Sequence, residues 1–149
     1  MRIVLQRVSQ ASVQVAGELC GSISLGYVTL VAFKESDDEA TLRYMVEKLL
    51  NLRLFNDEQG KMNLSLLDVG GELLVISQFT LYGDARKGRR PSYSDSAPAE
   101  AAEKLYDDFL ELLRKSDVKI AAGLFQEHME VSLVNDGPVT ILLDSEKSF

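Results

Sequence analysis

The chain has 149 residues, 46% of them hydrophobic, and a formal net charge of −7 at pH 7, which suits one globular domain with a conventional buried core. No stretch approaches the roughly 18 consecutive apolar residues of a membrane span, and Arg2, Gln6 and Arg7 interrupt the region where a secretory signal needs an apolar run, so a cytoplasmic location without a membrane partner is expected. The acidic balance excludes a broad duplex-tracking surface; a single cysteine, Cys20, and a single histidine, His128, exclude an intrachain disulfide and a clustered soft-ligand metal site.

Ile3–Leu5, the alternating Val13-Gln14-Val15, Ile23 and Tyr27–Phe33 are predicted strands separated by Gly17, Gly21 and Gly26, and a meander is their simplest arrangement. Ser36-Asp37-Asp38-Glu39 has the form of a capping box, and Leu42, Met45, Val46, Leu49 and Leu50 follow at helical spacing. A short strand around Leu52–Phe55 ends at the turn cluster Asn56-Asp57-Glu58-Gln59-Gly60. Glu72-Leu73-Leu74-Val75-Ile76 reads as a fully buried strand that delivers Ser77 and Gln78 to its C-terminal end. The polar loop from about Tyr82 to Ser96 contains Arg86-Lys87-Gly88-Arg89-Arg90, four cations in five residues. Such a run is either a solvated loop or a contact for a short stretch of phosphate.

Pro98 falls near the first turn of a second helix that carries Ala102, Leu105, Phe109, Leu112 and Leu113 on one face. Strands are predicted near Val118–Ala121, over Val131–Val134 and over Val139–Leu143, with Asn135-Asp136-Gly137-Pro138 between the last two. The helices are too few to cover both faces of a large parallel sheet, which points to a layered α/β domain with a mixed sheet.

Two segments are the most informative chemically. Ser77-Gln78-Phe79-Thr80-Leu81 closes an apolar run, and Asn135-Asp136-Gly137-Pro138-Val139-Thr140 puts a Gly-Pro peptide between two others. Together they resemble the two signature motifs of the D-aminoacyl-tRNA deacylases, which hydrolyse the ester joining a D-amino acid to tRNA. The resemblance runs in order from Leu5-Gln6-Arg7-Val8 through Gly60-Lys61-Met62-Asn63-Leu64 and Arg90-Pro91-Ser92-Tyr93. It implies one domain over residues 1–149 with a three-layer β/β/α arrangement, mixed sheets and two main helices. It also implies a homodimer acting on the aminoacyl-tRNA 3′ end. No cofactor or metal is expected.

By this resemblance, Ser77, Gln78, Phe79 and Thr80 line the pocket, their backbone groups hold the ester carbonyl, and the terminal ribose 2′-OH helps to activate water. Gly137 and Pro138, joined by a cis peptide, are implied to enter the active site of the dimer mate and to crowd out an L side chain. Arg7 corresponds to an arginine that holds this motif; Phe125 and Met129 match positions near the terminal adenosine and the pocket wall. Between these two, Gln126-Glu127-His128 departs from the small residue and Ala-Asp usual in the family.

The residues alone are poor in nucleophile machinery. His128 has no recognisable partner spacing and reads as a surface or packing residue, Cys20 reads as a small hydrophobe, and Thr80 lacks an adjacent base. As local sequence, Gly137-Pro138 is a hairpin turn, and only about 5–6% of X-Pro bonds in folded proteins are cis. Two alternatives therefore stand beside the deacylase reading: a noncatalytic module for tRNA ends or small ligands, and a related deacylase type with a trans Gly-Pro that acts on a small L-aminoacyl ester.

Overall fold

The computed structural model describes residues 1–149. Its first strand, β1 (Arg2–Val15), serves two cores in turn: Ile3 and Leu5 belong to a larger one, and Val8, Ala11 and Val13 to a smaller one. Shifts in its pairing register on either side of Val8 allow the change of side. The two strands expected at Ile3–Leu5 and Val13–Val15 are therefore one; exposed Ser9 and Gln10 mark the irregularity between them.

Strands β2 (Glu18–Ile23) and β3 (Gly26–Ala32) both pair antiparallel with β1, β2 along Ala11–Val15 and β3 along Arg2–Val8. Helix α1 (Glu39–Asn51) follows, then the small antiparallel pair β4 (Phe55–Asn56) and β5 (Met62–Leu64). Strand β6 (Glu72–Ser77) lies parallel to β3, and after helix α2 (Ala99–Arg114) the short β7 (Ile120–Ala122) lies parallel to β6. The last strand, β8 (Met129–Asp144), runs antiparallel along the other edge of β1. The sheet is thus mixed, as expected.

The strand path β2-β1-β3-β6-β7 curls until its ends approach each other. A Cβ on Gly21 of β2 would lie only 3.2 Å from the Ala121 Cβ and 3.3 Å from the Ala122 carbonyl oxygen of β7. Val8, Ala11, Val13, Ile23, Val28, Leu74 and Ile76 fill the curl. Both helices pack outside it through the larger core, which includes Leu42, Met45 and Leu49 of α1 with Tyr106, Phe109 and Leu113 of α2. This is the β/β/α layering, with both β layers drawn from one nearly closed sheet. β3 and β6 pack tightly at Gly26, where any Cβ would sit 1.8 Å from the Glu72 carbonyl oxygen. No helix is long and apolar enough to cross a membrane.

Local chemistry departs from the sequence reading at three places. The α1 cap is Asp38, whose carboxylate accepts from the Thr41 N–H at 2.8 Å, so the cap lies two residues beyond Ser36. The buried stripe of α2 is Ala102, Tyr106, Phe109, Leu110 and Leu113, with Leu105 and Leu112 only half-buried. Tyr106 takes the central place because its hydroxyl finds a buried acceptor, the Val75 carbonyl, at 2.9 Å.

The third place is the Gly-Pro segment, which is not a hairpin turn. β8 stays antiparallel to β1 on both sides of it, from Val15↔Met129 to Val8↔Asn135 and again from Gln6↔Thr140 to Arg2↔Asp144. Arg7 alone therefore faces Asp136, Gly137, Pro138 and Val139, and these residues are thrown out of the ladder as a bulge.

Candidate active site

β6 sits between two parallel neighbours and is buried from Leu73 to Ile76, so its C-terminal end is rigidly placed. The chain then leaves the sheet at Gln78 and enters one 3-10 turn over Phe79–Tyr82. The Gln78 N–H donates to the Val31 carbonyl at 2.7 Å, which removes it from the set of free donors expected at this strand end. Phe79 and Thr80 head the turn, where N–H groups lack an acceptor within the helix. The Gln78 side-chain amide donates to the Thr80 hydroxyl at 2.5 Å, which ties the two side chains together.

A second segment, which continues from β7, is fastened to this strand end beyond the β6–β7 pairing. The Val75 carbonyl accepts from the Tyr106 hydroxyl at 2.9 Å and from the Gly123 N–H at 3.0 Å. Burial pushes the Tyr106 phenol well above its ordinary range, so it remains a protonated donor. The Phe125 ring lies 5.9 Å from that of Tyr106. Gly123 has no Cβ where one would meet the Met129 sulfur at 2.4 Å and Ile76 Cδ1 at 3.0 Å; its bareness lets Met129 settle onto the end of β6.

Between these segments lies a cleft of about 810 Å³. Ser77, Gln78 and Phe79 form one wall, Phe125 to Met129 another, and Tyr93, Ser96 and Ala97 of the long loop a third. The Phe79 ring, 55% exposed, meets Tyr93 edge-on with centroids 5.1 Å apart. Thr80 reaches the cleft wall only through Gln78.

Arg7, Gly137 and Pro138 form a separate group outside the cleft. Buried Arg7 donates from Nε to the Asp136 carbonyl at 3.1 Å and from Nη1 to the Leu54 carbonyl at 2.5 Å, and its Nε lies 3.2 Å from the Asp136 carboxylate. Asn135 braces the bulge from within, accepting from the Val139 N–H at 3.0 Å. Gly137 has φ +131°, and a Cβ there would fall 2.7 Å from Val139 Cγ2 and 3.1 Å from Arg7 Nη2. The Gly137–Pro138 peptide is cis, and both residues are exposed.

Known proteins share the sequence and the fold of this chain. A family sequence model described as D-Tyr-tRNA(Tyr) deacylase matches residues 4–144. This chain belongs to that family. The D-aminoacyl-tRNA deacylase of Thermosipho africanus is 56% identical over 149 residues, and that of Halothermothrix orenii 54%, each match covering 100% of both chains. A solved structure described as c-Myc DNA Unwinding Element Binding Protein superposes with a TM-score of 0.92 at 44% identity, covering 97% of this chain and 98% of the other.

Within this deacylase-family cleft, the structure brings together Ser77, Gln78, Phe79, Phe125 and Met129 from segments almost fifty residues apart. Sequence reading missed two contributions. Tyr93 joins the rim because Gly83 leaves room for its ring, a Cβ there falling 3.1 Å from Tyr93 Cε1; the Arg90-Pro91-Ser92-Tyr93 match was the available signal. His128, read from the sequence as a surface or packing residue, lines the cleft together with Glu127, where Gln126 adopts φ +61° and turns the segment. Cys20 lies on β2 outside the cleft, its thiol directed to the Glu18 carbonyl at 3.6 Å.

Proposed function

We propose that the cleft hydrolyses the ester linking a D-amino acid, or glycine, to the 3′ end of tRNA, releasing free amino acid and tRNA as a proofreading step in translation. Family membership makes the chain a hydrolase of the aminoacyl-tRNA ester bond. The observation that carries the finer reading is the convergence of the Ser77–Phe79 strand end with Phe125 and Met129 in one cleft.

Ester hydrolysis builds negative charge on the carbonyl oxygen, and fixed main-chain donors stabilise it without reorganising. The N–H groups of Phe79 and Thr80 supply that role here, with Gln78 and Thr80 locked together to shape the wall. Water attacks the carbonyl carbon, the ribose 2′-OH helping to activate it, and the bond to the ribose 3′ oxygen breaks with that oxygen taking up a proton. Phe125 and Met129 pack against the terminal adenosine.

Chiral selection falls to Gly137 and Pro138 of a second copy. In one chain the bulge is exposed and away from the cleft, so it meets substrate only when a partner inserts it. The outer edge of β8 favours such pairing: it carries no neighbouring strand, and Val134 and Leu142 on it are 49% and 55% exposed. Arg7 holds the bulge as a main-chain wall against an L side chain, which is selection by rejection. A DNA-binding role of the kind named for the structural neighbour fits poorly with a net charge of −7.

The deciding experiment is release of amino acid from matched D-aminoacyl-, glycyl- and L-aminoacyl-tRNA. The first two are hydrolysed, because a wall has nothing to reject in a hydrogen; an L substrate held off by about 4 kcal/mol reacts roughly a thousandfold more slowly. Cleavage of D-aminoacyl-tRNA with glycyl-tRNA resistant refutes the wall, and no release from any substrate leaves a binding module. A fully active monomer at assay concentration refutes the shared site.

A further inference from the structure

The strongest local departure from the acidic surface is at the cleft rim. Gly83 and Tyr93 touch, and the Asp84 and Ser92 backbones exchange hydrogen bonds of 2.8 and 2.9 Å, so the segment between them is a closed loop rooted on the cleft wall. Arg86 is held at the loop base by Asp84, donating from Nε at 2.8 Å and from Nη2 at 2.7 Å. Lys87, Arg89 and Arg90 are exposed and form no ion pair. Gly88, at φ +73° with nothing within 4 Å of its Cβ position, makes the tip slim enough to lie against another backbone.

We propose that Lys87, Arg89 and Arg90 form a phosphate-binding arm that grips the single-stranded 3′ end of the substrate RNA just outside the cleft. The inference rests on the deacylase reading and extends it from the terminal aminoacyl-adenosine to the nucleotides before it. Three free cations match a few phosphates. They do not match a long duplex, which the remaining acidic surface repels. The Phe79–Tyr93 pair at the loop root joins the arm directly to the site where the ester must sit.

The test compares K87A/R89A/R90A with the parent on D-aminoacyl-tRNA and on a short D-aminoacyl-adenosine ester. At about 0.1 M salt the variant is expected to raise KM for the tRNA about tenfold with kcat unchanged. Its log–log salt slope should be shallower by about 2, at ~0.7 per single-strand phosphate contact. Hydrolysis of the short ester should stay within about twofold, which also reports that the variant is folded. An unchanged tRNA KM, or equal losses on both substrates, overturns the arm. Affinity for uncharged tRNA, measured in parallel, decides the same point if neither ester is cleaved, the outcome that would refute the deacylase reading alone. Duplex DNA that competes as well as tRNA also overturns the proposal.

Discussion

Gly123→Ala tests whether the cleft wall is set by the close approach of Met129 to the end of β6. Gly123 is not in the left-handed region, so alanine is conformationally allowed and, through the unfolded state, would by itself stabilise by about 0.4–1 kcal/mol. Against this stands a Cβ 2.4 Å from the Met129 sulfur and 3.0 Å from Ile76 Cδ1, about 1 Å inside ordinary contact for the sulfur. Overpacking of this kind costs about 1–3 kcal/mol. The clash wins, and a net loss of about 1 kcal/mol lowers Tm by about 2–4 °C for a chain of this size. Relief of the overlap displaces Met129, which itself lines the cleft, so KM for D-aminoacyl-tRNA rises as well. A double-mutant cycle with Met129→Ala, followed by thermal unfolding and by deacylation, should show a coupling of about 1 kcal/mol, because removing the side chain relieves the overlap. Strict additivity, or a Gly123→Ala protein as stable and active as its parent, would refute this account of the wall.

Thr80→Ala, Cys20→Ala and His128→Ala should each lose less than the ~100-fold expected for removing a general base; a trapped aminoacyl-enzyme on Thr80 or Cys20, or a folded but inactive His128→Ala, contradicts this. Acid should destabilise the fold through its hydrogen-bonded carboxylates: the Ser65 N–H and hydroxyl, 2.8 and 2.7 Å away, hold Asp68 low, and the Arg86 side chain holds Asp84 down at about 2. Because these values lie below the ordinary ~3.9, their contribution is complete above about pH 4 and is lost as pH falls through the folded values. Tm measured from pH 5 to 2 should fall less steeply in Asp68→Asn, and an unaltered slope would count against the assignment. Gly26→Ala places a Cβ 1.8 Å from the Glu72 carbonyl oxygen and should abolish accumulation of folded protein; a melting temperature within about 2 °C of the parent would show that β3 and β6 separate easily.

Helical periodicity made both helices legible, since Leu42, Met45 and Leu49 or Ala102, Phe109 and Leu113 recur at the spacing that one buried face demands. The apolar run of β6 likewise announced a strand enclosed on both sides, and the two signature segments named the chemistry before any coordinate. Long-range contacts were not legible in this way. Whether Ser9 and Gln10 break β1 depends on β8 pairing across them, and whether Gly137-Pro138 turns the chain or bulges from it depends on Arg2–Gln6 continuing the ladder more than a hundred residues away. The free donors at the head of the Phe79–Tyr82 turn are likewise backbone atoms, whose availability depends on Val31 taking Gln78 and leaving its neighbours. Local sequence encodes which face of an element is apolar, because side-chain spacing and backbone period interact within a few residues. Which backbone groups remain unpaired, and which wall Tyr93 or His128 joins, follows from partners distant in sequence, and those are chosen when the sheet curls and the cores close.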